Sequence, residues 1–129
     1  MDKILVEVSI GELLDKISIL DIKKDKIKDD TKLEHILNEY KILKEEYDNK
    51  VKNDDELLRL YRSLKEINSK LWVIEDEKRL CEKNADFGDE FIKLSRDVHF
   101  LNDERAKIKL EINIHTGSKI KEIKEYTKY

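Results

Sequence analysis

The chain has 129 residues, of which 44% are charged and 39% hydrophobic, and it carries a net charge of −3. It has three glycines, no proline and a single cysteine, so it lacks the turn punctuation that sandwiches, barrels and α/β folds need. Its apolar content is too high and too periodic for a disordered chain, which leaves one domain of long helices with few breaks.

Residues Lys3 to Val8 alternate and are rich in β-branched side chains, which predicts a short extended arm or edge strand. Ser9-Ile10-Gly11-Glu12 then fits a capping box, and helix one is expected from Ile10 to about Lys28. Its stripe of Ile10, Leu13, Leu14, Ile17, Leu20 and Ile27 has the three-four spacing of a buried face. Ile19 and Ile22 lie off the stripe, so the helix is expected to touch two neighbours.

A second capping box, Thr31-Lys32-Leu33-Glu34, predicts the start of helix two, with Leu33, Ile36, Leu37, Tyr40, Leu43, Tyr47 and Val51 on one face. Asn53-Asp54-Asp55 closes it and caps helix three, expected over 55–83 with Leu57, Leu60, Leu64, Ile67, Leu71, Ile74 and Cys81 in register. After a loop around Asp86, helix four is expected over 89–115, with Phe91, Leu94, Val98, Leu101, Ile108 and Ile112 as its stripe. Gly117 supplies the usual residue past a helix end, and residues 118–129 form a basic tail.

The fold class is therefore all-α: a long antiparallel hairpin with two shorter helices beside it, bundle-like or coiled-coil-like, within one domain spanning 1–129. Apolar residues on more than one face of helix one, and the open edge of the arm, predict a homo-oligomer, most simply a dimer.

Several function classes drop out. The longest apolar run, Leu71 to Ile74, is far short of the roughly 18 residues a membrane span needs. The first residues lead into no signal-peptide pattern, so a cytoplasmic protein is expected. An acidic balance supplies no global field for nucleic acid. There is no glycine-rich phosphate loop, no serine elbow, no paired metal-binding histidines and no second cysteine, so neither metal nor cofactor is expected. Cys81, in the apolar register, reads as a small core residue rather than a nucleophile.

The informative feature is polar residues where helix four should be apolar. Arg105 interrupts its stripe, and Asn102, Lys109 and Asn113 lie beside it. Helix three carries a matching seam of Tyr61, Asn68, Glu75 and Glu82. If the hairpin turns at Asp86, Arg105 faces Ile67–Asn68, Lys109 approaches Arg62–Ser63, and Arg96 faces Asp76. One end then gathers Arg62, Asn68, Asn102, Arg105 and Lys109, while the other pairs acids and bases at Asp76, Arg79 and Arg96.

A half-buried arginine is costly unless paired. In one account Arg105 pairs with Glu66 or Glu75 and fixes helix register, as a buried polar residue does in coiled coils. In the other, Arg62, Arg105 and Lys109 have no facing carboxylate and await an external anion, with Asn68, Asn102 and Asn113 reading ligand hydroxyls or a base edge.

Three segments resemble a family of small helical proteins of unknown function found in bacteria and their phages, sometimes near sugar-polymer genes. They are Ser9 to Leu20 (SIGELLDKISIL), Ile67 to Asp76 (INSKLWVIED), and Asn102 to Lys109 (NDERAKIK) with Ile112-Asn113 and Gly117-Ser118. The resemblance spans nearly the whole chain and implies no activity. It implies that Asn68, Glu75, Asp76, Arg79, Asn102, Asp103, Arg105, Lys109 and Asn113 belong to the family pattern, in a bacterial cytoplasm.

Three functions follow as expectations. The first is a non-catalytic oligomer that binds or sequesters an anionic small ligand, such as a nucleotide or nucleotide-sugar; a phage-borne version would act as a sponge for a nucleotide signal of host immunity. The second is a structural or adaptor bundle that meets another protein and uses the seam only for helix register. The third, an enzyme with Glu75 or Asp76 as base and Arg105 as oxyanion partner, is disfavoured by the missing catalytic signatures.

Overall fold

The computed structural model describes residues 1–120 and 123–129. Four helices run in chain order: α1 (Ile10–Lys26), α2 (Asp30–Lys50), α3 (Asp55–Lys83) and α4 (Asp89–Thr116). No strand occurs among the described residues. The arm before Ser9 is exposed and belongs to no helix or strand; within this chain it has no neighbouring strand to exchange backbone hydrogen bonds with, so it forms no edge strand here.

Local chemistry sets the helix ends. Ser9 caps α1, its Oγ accepting from the Glu12 amide at 3.0 Å, and Asp54 caps α3 by accepting from the Leu57 amide at 2.7 Å. Gly117 closes α4 in the left-handed region at φ 64°, where a side chain would be strained. The start of α2 differs from the expected Thr31 cap. α1 ends at Lys26, and the extended residue Asp29 takes the cap by accepting from the Lys32 amide at 2.9 Å.

α3 and α4 form the long antiparallel hairpin, each about 40 Å long at 1.5 Å per residue. α1 is the central helix. One side of it packs on α2 and another lies across both hairpin helices near their open end. This explains why its apolar residues occupy more than one face, with Leu14, Ile17, Leu20 and Ile22 all buried. The main core joins Leu14 and Ile17 of α1, Tyr47 of α2, Leu57, Leu60 and Leu64 of α3, and Ile112 of α4.

The hairpin outruns that core. Between residues 70 and 101 only Leu94 is fully buried; Trp72, Ile74 and Cys81 are half-covered. Cys81 is thus a partly covered side chain rather than a core one, and desolvation pushes its thiol above the usual range, away from nucleophile chemistry.

Candidate functional site

The polar seam of α4 meets α1, and α1 supplies carboxylates. Gly11, Asp15 and Ser18 recur at four- and three-residue spacing, so they share one face of α1, and that face turns toward the hairpin. Asp15 is the hub, only 2% exposed. It receives a fork from Arg105, whose Nε donates to Oδ1 at 2.9 Å while Nη2 donates to Oδ2. Asn68 of α3 donates through Nδ2 to the same Oδ1 at 2.9 Å and to Ser18 Oγ at 2.8 Å. Lys109 Nζ donates to Glu12 Oε2 at 2.7 Å and lies 3.9 Å from Asp15.

One turn further along α4, Asn113 Oδ1 accepts from the Gly11 amide at 2.7 Å. A side chain at position 11 would meet the Lys109 carbonyl at 2.5 Å, so glycine is what allows α1 and α4 to approach this closely. Ser118 Oγ accepts from the Ile10 amide at 3.3 Å and donates to the Ile120 carbonyl at 2.9 Å, which ties the start of the tail to the start of α1. Among the described residues no buried side-chain polar atom lacks a partner.

Both sequence accounts of Arg105 are thereby corrected. Its acid is neither Glu66, which pairs with Lys70 at 3.7 Å, nor Glu75, which is exposed. Nor is the cluster without a facing carboxylate, since Asp15 and Glu12 both face it. Hairpin register relates only α3 to α4, whereas α1 lies over the open end of the hairpin and brings the acids. The signal available in the sequence was the 11-15-18 spacing of small and polar residues inside an apolar helix.

The structure gathers Asn68, Arg105 and Lys109, as the hairpin register implies, joins Asn113 to them through α1, and leaves Arg62 exposed outside the seam. Glu75, Asp76, Arg79 and Arg96 are exposed on the projecting half of the hairpin. Glu75 and Asp76 lie two turns or more beyond Asn68, roughly 10 Å along the axis, too far to work with Arg105 as base and oxyanion partner.

In front of the seam lies a cleft of about 860 Å³ between α4 and the C-terminal tail. Arg105, Lys109, Asn102 and His99 of α4 line it, with Glu12 of α1 and Lys124, Tyr126 and Tyr129 of the tail. Tyr129 Oη donates to Asp103 Oδ2, and its ring stands edge-on to Phe100 at 5.3 Å. Asn68 and Asn113 sit behind, buried and bonded to protein groups, and are not part of the cleft wall. Two further polar links brace the bundle away from the cleft. Tyr61 Oη donates to Asp21 Oδ2 at 2.9 Å, and His115 Nε2 lies 2.9 Å from Asp54 Oδ2. Burial and the Asp21 contact push the Tyr61 hydroxyl far above its ordinary range, so it stays a neutral donor.

No group of three or more possible metal ligands exists among the described residues, and no helix among them is long and apolar enough to cross a membrane. Residues 4–129 match the model of one protein family, described as Family of unknown function (DUF6165). Nothing matches the chain among curated proteins or among solved structures.

Proposed function

The chain belongs to DUF6165, a family of unknown function, and from that premise we propose that it is a non-catalytic, oligomeric helical protein that binds or sequesters a small anionic ligand, such as a nucleotide or nucleotide-sugar, in the cleft beneath its C-terminal tail. One observation carries this reading: Arg105, Lys109 and Lys124, from two separate parts of the chain, converge on one cleft. Its volume falls within the roughly 300–1,000 Å³ usual for small-molecule sites.

The pairing of Arg105 with Asp15 supports the reading in a different way from an unpaired cation. A buried carboxylate behind the guanidinium fixes its orientation before a ligand arrives, so little rotamer entropy remains to be lost on binding. The Arg105 side chain is 29% exposed and lines the cleft, while its acid is sealed behind it. Asn102 offers an amide for hydroxyls or a base edge, and Tyr126 offers a ring face. Such a protein works in the cytoplasm of a bacterial cell.

A second reading, the structural or adaptor bundle, is favoured by the charge matching inside the seam, where Asp15 and Glu12 answer Arg105 and Lys109. The two separate in a thermal-shift screen of nucleotides, cyclic nucleotides, nucleotide-sugars and sugar phosphates. A bound ligand at 100 times its Kd stabilises by about 2.7 kcal/mol, on the order of 10 °C for a chain of this size. Asn102→Ala should leave the unliganded melting point unchanged, and both Asn102→Ala and Lys124→Ala should erase the shift. If no compound in any class moves the wild-type melting point, the adaptor reading stands instead.

A further inference from the structure

Residues 3–8 lie outside every helix, and among the described residues none of their backbone amides or carbonyls takes part in a hydrogen bond. Their side chains are bare as well: Ile4 is 87% exposed, Leu5 83%, Val6 75% and Val8 41%. Four aliphatic residues, three of them β-branched, thus sit on a backbone with its donors and acceptors open, which is the make-up of a strand without its partner. The root of this arm is fixed. Ser9 caps α1, and the next residue, Ile10, donates its amide to Ser118 Oγ at 3.3 Å.

We propose that the missing partner is the arm of a second copy of the chain, paired antiparallel about a two-fold axis at Leu5. This dimer rests on the oligomeric part of the proposed function and needs nothing from the ligand cleft.

The order of residues in the arm selects this occupant. In antiparallel pairing about Leu5, Leu5 meets Leu5, Ile4 meets Val6 and Lys3 meets Glu7. Directly opposed residues point to the same face, so the Lys3 ammonium and the Glu7 carboxylate stand side by side, and the two-fold axis makes this pair twice. A slip of one residue opposes Lys3 to Val6 or Val8 instead, and a slip of two opposes it to Leu5 or Ser9. Parallel pairing in register sets Lys3 on Lys3 and Glu7 on Glu7, which like charge disfavours. The arm therefore carries its own complement in one arrangement only. With Asp2 and Glu7 against Lys3, it has no excess of positive charge to draw nucleic acid.

Ile4, Val6 and Val8 of both copies share the other face of the ribbon. A two-stranded ribbon is marginal in water without an apolar support for such a face. The body offers one at the root of the arm. Ser118 Oγ, which holds the Ile10 amide, also donates to the Ile120 carbonyl at 2.9 Å, so Ile120 sits beside the root and is 39% exposed. Ile114, in the last turn of α4, is 62% exposed. The interface is small beside the roughly 800 Å² per partner of a standard complex, so the dimer is of the weak class, with a micromolar dissociation constant.

Sedimentation equilibrium and cross-linking of the full chain test the pairing. Wild type should approach twice the 15.4 kDa chain mass at about 100 µM. Lys3→Glu should weaken the dimer about tenfold, and Lys3→Glu combined with Glu7→Lys should restore it to within about threefold. Leu5→Pro with Val6→Pro removes one amide from each side of the strand and should leave monomers with unchanged helical circular dichroism. In a Cys81→Ser background, a short bis-maleimide should join Lys3→Cys chains to Glu7→Cys chains at several times the yield of either variant alone. A monomeric wild type at that concentration overturns the pairing together with the oligomeric part of the proposed function. A dimer that survives Leu5→Pro with Val6→Pro undiminished overturns the pairing alone and leaves the oligomer standing. Lys3→Cys chains that join one another as well as they join Glu7→Cys chains overturn the antiparallel arrangement, as does failure of Glu7→Lys to rescue Lys3→Glu.

Discussion

Replacing Asp15 by asparagine keeps the shape of the side chain and removes its charge. The amide oxygen of the new residue can still accept from Asn68, so that contact survives. What is lost is the carboxylate under Arg105 and, at 3.9 Å, the second acid near Lys109. The new amide nitrogen also points a donor at a guanidinium that needs an acceptor. Breaking a buried pair by removing one member costs about 3–5 kcal/mol. Asp15 is 2% exposed and qualifies fully, but Arg105 is 29% exposed and can recover part of its hydration, which argues for the lower end, about 3 kcal/mol. For a chain of this length that is a melting-point drop on the order of 10 °C. Urea unfolding followed by circular dichroism measures it directly, as a lower midpoint at unchanged slope. In the double variant Asp15→Asn with Arg105→Gln, two neutral amides face each other, so its loss should be clearly smaller than the sum of the single losses. A loss under about 1 kcal/mol for Asp15→Asn, or strict additivity in the cycle, would refute the assignment of Asp15 as the acid on which Arg105 depends.

Gly11→Ala should destabilise by about 2–3 kcal/mol although alanine is the better helix former, because its Cβ would press on the Lys109 carbonyl and displace the Asn113 contact; calorimetry showing a raised melting point would contradict this close approach. Ser9→Ala removes the α1 cap and should cost about 1 kcal/mol in urea unfolding, whereas Ser9→Asp should cost less. Asp21 is pushed up by partial burial, but the Tyr61 hydroxyl, Lys24 and Lys65 outweigh this and hold its carboxyl below the ordinary value. A depressed folded pKa stabilises above the unfolded value near 4 and ceases to do so as pH falls through the folded value. The stability difference between wild type and Tyr61→Phe should therefore be largest near pH 6 and shrink by pH 2, and a constant difference in urea midpoints across that range would count against it. Asp54 is held low first by the Leu57 amide and then by His115, so Asp54→Asn should likewise lose its effect on thermal stability in acid.

The local parts of the fold were legible because their causes are local. Ser9, Asp54 and Gly117 act on amides and carbonyls a few residues away, and the bounds of α3 and the hairpin turn followed from them and from the three-four spacing. The cap of α2 was less legible, since Asp29 and Thr31 both have the chemistry and the choice depends on where α1 stops. Within the seam, the hairpin register placed Asn68 near Arg105, because antiparallel neighbours follow from the position of one turn. The acids could not be found in that way. Asp15 and Glu12 reach Arg105 and Lys109 across a sequence separation of 90 and more, through the lie of α1 over the open end of the hairpin. That crossing is set by the close approach at Gly11 and by the packing of Leu14 and Ile17, neither of which leaves a local trace of its partner. The sequence by itself thus determined four helices, the ends of α3 and the anomaly at Arg105. Only the tertiary structure decided which charges answer that anomaly, because a buried carboxylate stabilises whichever cation the packing brings within a few ångströms of it.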